Sequence, residues 1–220
     1  MASILDIPTW FLTTRIGLDF LFALVTLMVS HNAFKIYALS KRREVKLLST
    51  GFFFISTSYI IQTFFGIMIL TKLNQGICDF WEIQSVATIN LMTIILHILF
   101  FSIGTVTLVY MTFRKKNLKL YFLLLGISLL ALSSSKNIIL TFHMLTTAFF
   151  LYLVLHYHEM IKKLKKQKVL IIFIVFTLLF LSSIDFILSR FHDGFFITGH
   201  ILEFGAYLLI LVNLIQTNKK

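Results

Sequence analysis

The chain has 220 residues, 58% of them apolar and 25 of them phenylalanine, with a mean hydropathy of +0.92 and a formal net charge of +11. A soluble domain is about 45–50% apolar, so this excess marks a polytopic membrane protein and leaves no length for a separate soluble catalytic domain. The positive charge requires no nucleic-acid partner, because its cations are spread over short breaks between apolar runs.

In chain order, residues 1–15 (MASILDIPTWFLTTR) lack the basic region and small-residue cleavage site of a secretory signal. They read as an extracellular interfacial segment, with Pro8 and Trp10 where aromatic anchors favour the headgroup layer. Seven apolar runs follow, over 16–39, 47–71, 86–112, 118–134, 137–158, 169–189 and 195–217. Each is read as one membrane crossing, at about 20 residues per crossing. The expected fold is therefore all-α, a single bundle of seven transmembrane helices over 16–217, with a basic tail at 218–220. The fourth run is the shortest. The two halves show no internal repeat, which argues against the inverted-repeat architecture of many transporters. Cys78 is the single cysteine, so neither an intramolecular disulfide nor a cysteine metal cluster can form.

Lysine and arginine set the orientation. Sixteen of them fall on one side: Lys35; Lys41, Arg42, Arg43 and Lys46; Arg114, Lys115, Lys116 and Lys119; Lys162, Lys163, Lys165, Lys166 and Lys168; and Lys219 and Lys220. The other side holds only four, Arg15, Lys72, Lys136 and Arg190. This asymmetry predicts a cell-membrane protein with its N-terminus outside and its C-terminus in the cytoplasm. It requires an odd number of crossings. The inner breaks, above all IKKLKKQK, suit anionic lipid headgroups or a cytoplasmic protein partner.

Ionisable groups inside a spanning helix cost at least about 2.5 kcal/mol each, so they face the bundle interior or a cavity. Asp19, Asn90, His143, Asp185, His200 and Glu203 all fall in the outer halves of their runs, and Gln62 reaches a similar depth. Spacings of three, four and seven residues share a helix face. They give stripes of Asp19–Ala23–Thr26–Ser30, Asn90–Thr93–His97, His143–Thr147, Ser182–Asp185 and His200–Glu203–Tyr207. The expectation is an outward-facing polar pocket formed by Asp19, Asn90, His143, Asp185, His200 and Glu203. The competing reading is interhelical glue, since Ser, Thr, Asn and His commonly join membrane helices. For His31 and His97, each in an apolar stretch, glue is the preferred reading. His156, His158, His192 and Asp193 are expected to be solvated.

These residues bear on several chemistries. His143, Asp185, His200 and Glu203 form a candidate metal set, without the local spacing that would make it specific. His143 and His200, at matching depths, are the candidate axial pair for a b-type haem. No cofactor is predicted. Glu203 or Asp185 would serve as the relay of a proton- or metal-ion-coupled carrier or channel, although only Pro8 is proline and no helix is visibly broken. A microbial-rhodopsin chromophore needs a lysine in the last helix, and none precedes Lys219. A zinc hydrolase of the ceramidase and adiponectin-receptor type uses HxxxH in its last helix, where this chain has only His200 and Glu203.

Two stretches resemble a family of multi-pass membrane proteins frequent in archaea: HNAFKIYALSKRREVKLLSTGFFFIS (31–56) and FLSSIDFILSRFHDGFFITGHILEFGAYLLILVNLI (180–215). The resemblance implies a seven-helix protein of uncharacterised activity and supplies no catalytic residues. The leading functional expectation is a non-enzymatic, receptor-like or scaffold-like module with an outward polar pocket. An ion-coupled transporter or channel is the alternative, and a metal- or haem-dependent membrane enzyme a minor one.

Overall fold

The computed structural model describes residues 9–73, 86–113, 117–164, 167–192 and 194–218. Pro8, Cys78, Asp193, Arg114, Lys115, Lys116, Lys165, Lys166, Lys219 and Lys220 lie outside them, as do the side chains of Trp10, Lys72 and Lys168. The described residues form seven α-helices and no strand: α1 (Thr9–Ser40), α2 (Arg43–Leu73), α3 (Val86–Met111), α4 (Leu118–Ser133), α5 (Ile138–Leu164), α6 (Gln167–Leu188) and α7 (Gly194–Asn218). Six of them, all but α4, are long and apolar enough to cross a membrane. The chain is a helical membrane protein.

Each helix matches its apolar run to within two residues, except that α1 starts at Thr9 rather than 16, α2 at Arg43 rather than 47, and α5 runs to Leu164 rather than 158. Hydropathy marks only where side chains must be apolar. The backbone ladder continues past that point, and long polar side chains reach water from the extra turns. The turn between α1 and α2 is only residues 41–42. Lys41 closes α1 there in the left-handed region (φ 54), its N–H bonded to the Tyr37 carbonyl at 2.8 Å.

The arrangement is a ring. Contacts run α1–α2–α3–α5–α6–α7 and back to α1, while α4 packs outside, against α3 and α5. The ring helices are the six with membrane-crossing length. On α4, Leu118, Phe122, Leu123, Ile127 and Leu130 are exposed. It has 16 residues, and at about 1.5 Å per residue it falls short of the roughly 30 Å hydrocarbon thickness.

Small residues fasten the ring. Ser30 Oγ donates to the Ser49 carbonyl and Ser49 Oγ to the Ser30 carbonyl, each at 2.9 Å, a reciprocal clasp between α1 and α2. Ser56 Oγ donates to the Ala23 carbonyl at 2.9 Å across the same interface. Between α2 and α3 the backbones meet at Gly51 and Gly104: a Cβ on Gly104 would lie 2.8 Å from the Gly51 carbonyl oxygen. Close approach through small residues replaces the hydrophobic driving force that lipid cannot supply between helices. Phe20, Leu24, Leu27 and Met28 remain exposed along α1, as suits an apolar solvent. His31 lies on this exposed face, so it does not glue helices as expected; it follows Leu24 and Leu27 by seven and four residues, and helical periodicity places it outward with them.

Candidate functional site

A cavity of about 450 Å³ opens at one end of the ring. Its wall is built from the N-terminal halves of α1, α3, α5 and α7 and the C-terminal halves of α2 and α6, so every ring helix contributes and α4 does not. Asp19, Asn90, His143, His200 and Glu203 line it, five of the six residues singled out by sequence.

Asp185 does not. On α6 and the turn that follows it the lining residues are Leu179, Ser182, Ser183, Phe186, Ser189 and Arg190. Asp185 falls at the edge of that stripe, turned toward α7, and its Oδ2 accepts a 2.9 Å hydrogen bond from Thr198 Oγ1. The three-residue spacing from Ser182 placed it on the right side of the helix but not at the right angle. Next to it, Ser182 Oγ donates to the Gly199 carbonyl at 2.9 Å, where α6 and α7 touch.

Glu203 is a buried acid, 6% exposed. Two tyrosines hold it: Tyr59 on α2 donates a short hydrogen bond to Oε1, and Tyr207, one turn along α7, donates to the same oxygen at 2.7 Å. Its second oxygen, Oε2, takes no hydrogen bond from any described residue. Phe22 packs against these side chains, its ring centroid 5.3 Å from that of Tyr59, 5.7 Å from His200 and 6.1 Å from Tyr207.

Asp19 faces the cavity from α1 at 4% exposure, and no hydrogen bond or ion pair joins its carboxyl to any described residue. Arg15, one turn earlier on α1, and Arg190, at the exposed end of α6, stand at the edge.

Three histidines complete the wall. His200 Nδ1 lies 2.8 Å from the Phe196 carbonyl, which can only accept, so Nδ1 carries the proton and Nε2 is left as an acceptor. His97 Nδ1 is 3.4 Å from the Ser58 carbonyl on α2, the interhelical contact expected of it, yet the same side chain also lines the cavity. His143 packs on Phe142 at 5.2 Å and on Phe186 at 5.4 Å, and Phe186 meets His200 edge-on at 4.9 Å. A phenyl ring thus adjoins both imidazoles of the candidate haem pair.

The metal set does not assemble. Among the described residues no group of three or more His, Cys, Asp or Glu is placed to hold a metal ion. Of the four candidates, Asp185 is turned to Thr198, and Glu203 gives one of its two oxygens to a pair of phenols.

Sequence reasoning passed over Arg15 and Arg190, which entered only the charge count, and Tyr59. The signal for Tyr59 was present: Ser56, Tyr59 and Gln62 are spaced by three on α2, and Tyr59 and Gln62 both line the cavity. His192 is exposed as expected, with its Nδ1 accepting from the Gly194 N–H at 2.9 Å at the start of α7. His158 is exposed, while His156 is half-buried beside the Tyr152 and Tyr157 rings.

No family model matches the sequence, and comparison with curated proteins and with solved structures gives no match.

Proposed function

We propose that the protein is a non-enzymatic, receptor-like module of the cell membrane whose cavity takes up a small hydrogen-bonding ligand from outside the cell. In this reading the chain crosses seven times, with its N-terminus outside and its C-terminus in the cytoplasm. The basic inner breaks meet anionic lipid headgroups or a cytoplasmic protein partner, and the likeness to archaeal multi-pass proteins stands beside this without adding an activity.

The observation that carries the proposal is the pair of buried carboxyl groups on one cavity, Asp19 and Glu203, with oxygens that no described residue satisfies. These oxygens are open to the cavity rather than sealed in the protein, so an occupant with hydrogen-bond donors meets acceptors that no described side chain has taken. Glue accounts for Ser30, Ser49, Ser56 and Ser182, whose bonds run between helices, but not for Asp19.

Seven crossings draw support from helix direction. The first halves of both α3 and α5 line the same cavity, so these helices run parallel. In this reading the chain returns between them through the segment that holds α4, which supports a seventh crossing although α4 alone is shorter than the hydrocarbon layer. The orientation draws support from the lysine and arginine asymmetry.

The test is to purify the protein and identify by mass spectrometry what travels with it. Asp19→Asn and Glu203→Gln, with helicity and monodispersity unchanged, are expected to lose that material. Equal retention in both variants would overturn the proposal.

A further inference from the structure

A second depression, of about 400 Å³, runs between α1 and α7. It is formed by Leu18, Leu21, Ile197, Ile201 and Phe204, with Thr14 at one end, and offers almost no polar surface. Leu21, Ile197 and Ile201 are exposed, so the groove faces the side of the ring that lipid would contact. Its remaining residues, Arg15, Phe196 and His200, also line the polar cavity. The two spaces therefore adjoin through three shared side chains: one polar and enclosed by all six ring helices, the other apolar and lateral.

We infer that cavity and groove together hold one amphipathic molecule, a single-chain lipid with a protonated amine head set against Asp19 and Glu203 and a hydrocarbon chain lying between α1 and α7. The inference rests on the reading of the cavity as a ligand site and adds the chemistry of the ligand. Three observations select the head. Asp19 is 4% exposed with no hydrogen-bond partner among the described residues, Glu203 has a free Oε2, and His200 presents Nε2 as an acceptor. The interior thus asks for several donors at once. An ammonium has three, a hydroxyl only one. An ammonium also brings the countercharge that buried carboxylates need, and the Tyr59, Phe186 and Phe196 rings on the wall suit a cation. A phosphate head would find only Arg15 and Arg190 at the edge and would face two acids inside. The groove selects the tail: a polar ligand without a chain would leave it with nothing to hold.

The test uses the full chain in detergent micelles, with bound mass read by native mass spectrometry. The probes are dodecylamine, dodecanol, dodecyl phosphate and propylamine. Dodecylamine is expected to bind at least about tenfold more tightly than dodecanol or dodecyl phosphate, and to lose about tenfold in Asp19→Asn and in Glu203→Gln. Leu21→Trp/Ile201→Trp fills the groove from two exposed positions that leave the core untouched. It is expected to weaken dodecylamine while propylamine binding stays unchanged. If dodecanol or dodecyl phosphate binds as well as the amine, the ammonium head is wrong. Should the double tryptophan variant bind dodecylamine like the parent, the tail assignment falls and the cavity reading stands. Failure of every probe to bind, with co-purifying material insensitive to Asp19→Asn, overturns both.

Discussion

Glu203 is an acid on a membrane helix made tolerable by its neighbours. Two phenols converge on Oε1, so half of the carboxyl is satisfied by protein and half is turned to the cavity. Tyr59→Phe removes one donor and the cross-link between α2 and α7; we expect a loss of about 1 kcal/mol in unfolding free energy, read as a lower midpoint in a denaturing-detergent titration. Tyr59→Phe/Tyr207→Phe leaves the buried carboxyl with no donor, and the loss should rise to about 1–3 kcal/mol. Equal stability of the double variant and the parent would mean that the phenols are incidental. Asp19 behaves differently, because no described residue hydrogen-bonds it: Asp19→Asn is expected to leave the midpoint within about 0.5 kcal/mol of the parent or raise it, while ligand binding is lost. That contrast separates a structural acid from a binding one.

At the scale of the elements, the α2–α3 hairpin is set by two glycines whose backbones nearly touch. A Cβ on Gly104 would sit 2.6 Å from Ile55 Cγ1 and 2.8 Å from the Gly51 carbonyl oxygen, and the second neighbour is backbone that cannot swing aside. Gly104→Ala is therefore expected to cost about 1–3 kcal/mol, the usual range for overpacking. Gly126, on peripheral α4, has nothing within 4 Å of its would-be Cβ, so Gly126→Ala should be neutral or gain up to about 1 kcal/mol from helix propensity. Thermal unfolding of the two variants side by side checks the difference. Nothing in the three sequence contexts, STGFF and SIGTV against LLGIS, separates the glycines that matter from the one that does not. Only the helix crossing does.

At the scale of the whole molecule, six helices close a ring and the seventh braces it from outside. The single cysteine makes the topology directly testable. Cys78 lies between α2 and α3, on the side proposed to face out, and a membrane-impermeant maleimide applied to intact cells should label it. Moving the thiol to exposed Lys119, at the start of α4, as Cys78→Ser/Lys119→Cys should abolish labelling until the cells are opened. The reverse pattern would invert the bundle. Much of this architecture was legible in the chain. Seven helices cover the seven apolar runs because about 20 apolar residues in a row have few other uses, and the depth of Asp19, Asn90, His143, His200 and Glu203 followed from counting turns along runs whose ends were marked by charge.

Angle was harder to read than depth. Asp185 had the right depth and the wrong azimuth, and His31 the right composition and the wrong face, because a polar stripe on a helix names a direction only once its neighbours are placed. The sequence by itself determined that the protein is helical, belongs in a membrane and carries its polar groups toward one end, since hydropathy and helical rise are local properties. The tertiary structure decided that the six longest helices form the ring, that α4 stands outside it, that Tyr59 reaches Glu203 across 144 positions of sequence, and that an apolar groove adjoins the polar cavity. Those depend on which helix faces which, and that is fixed by packing between distant segments.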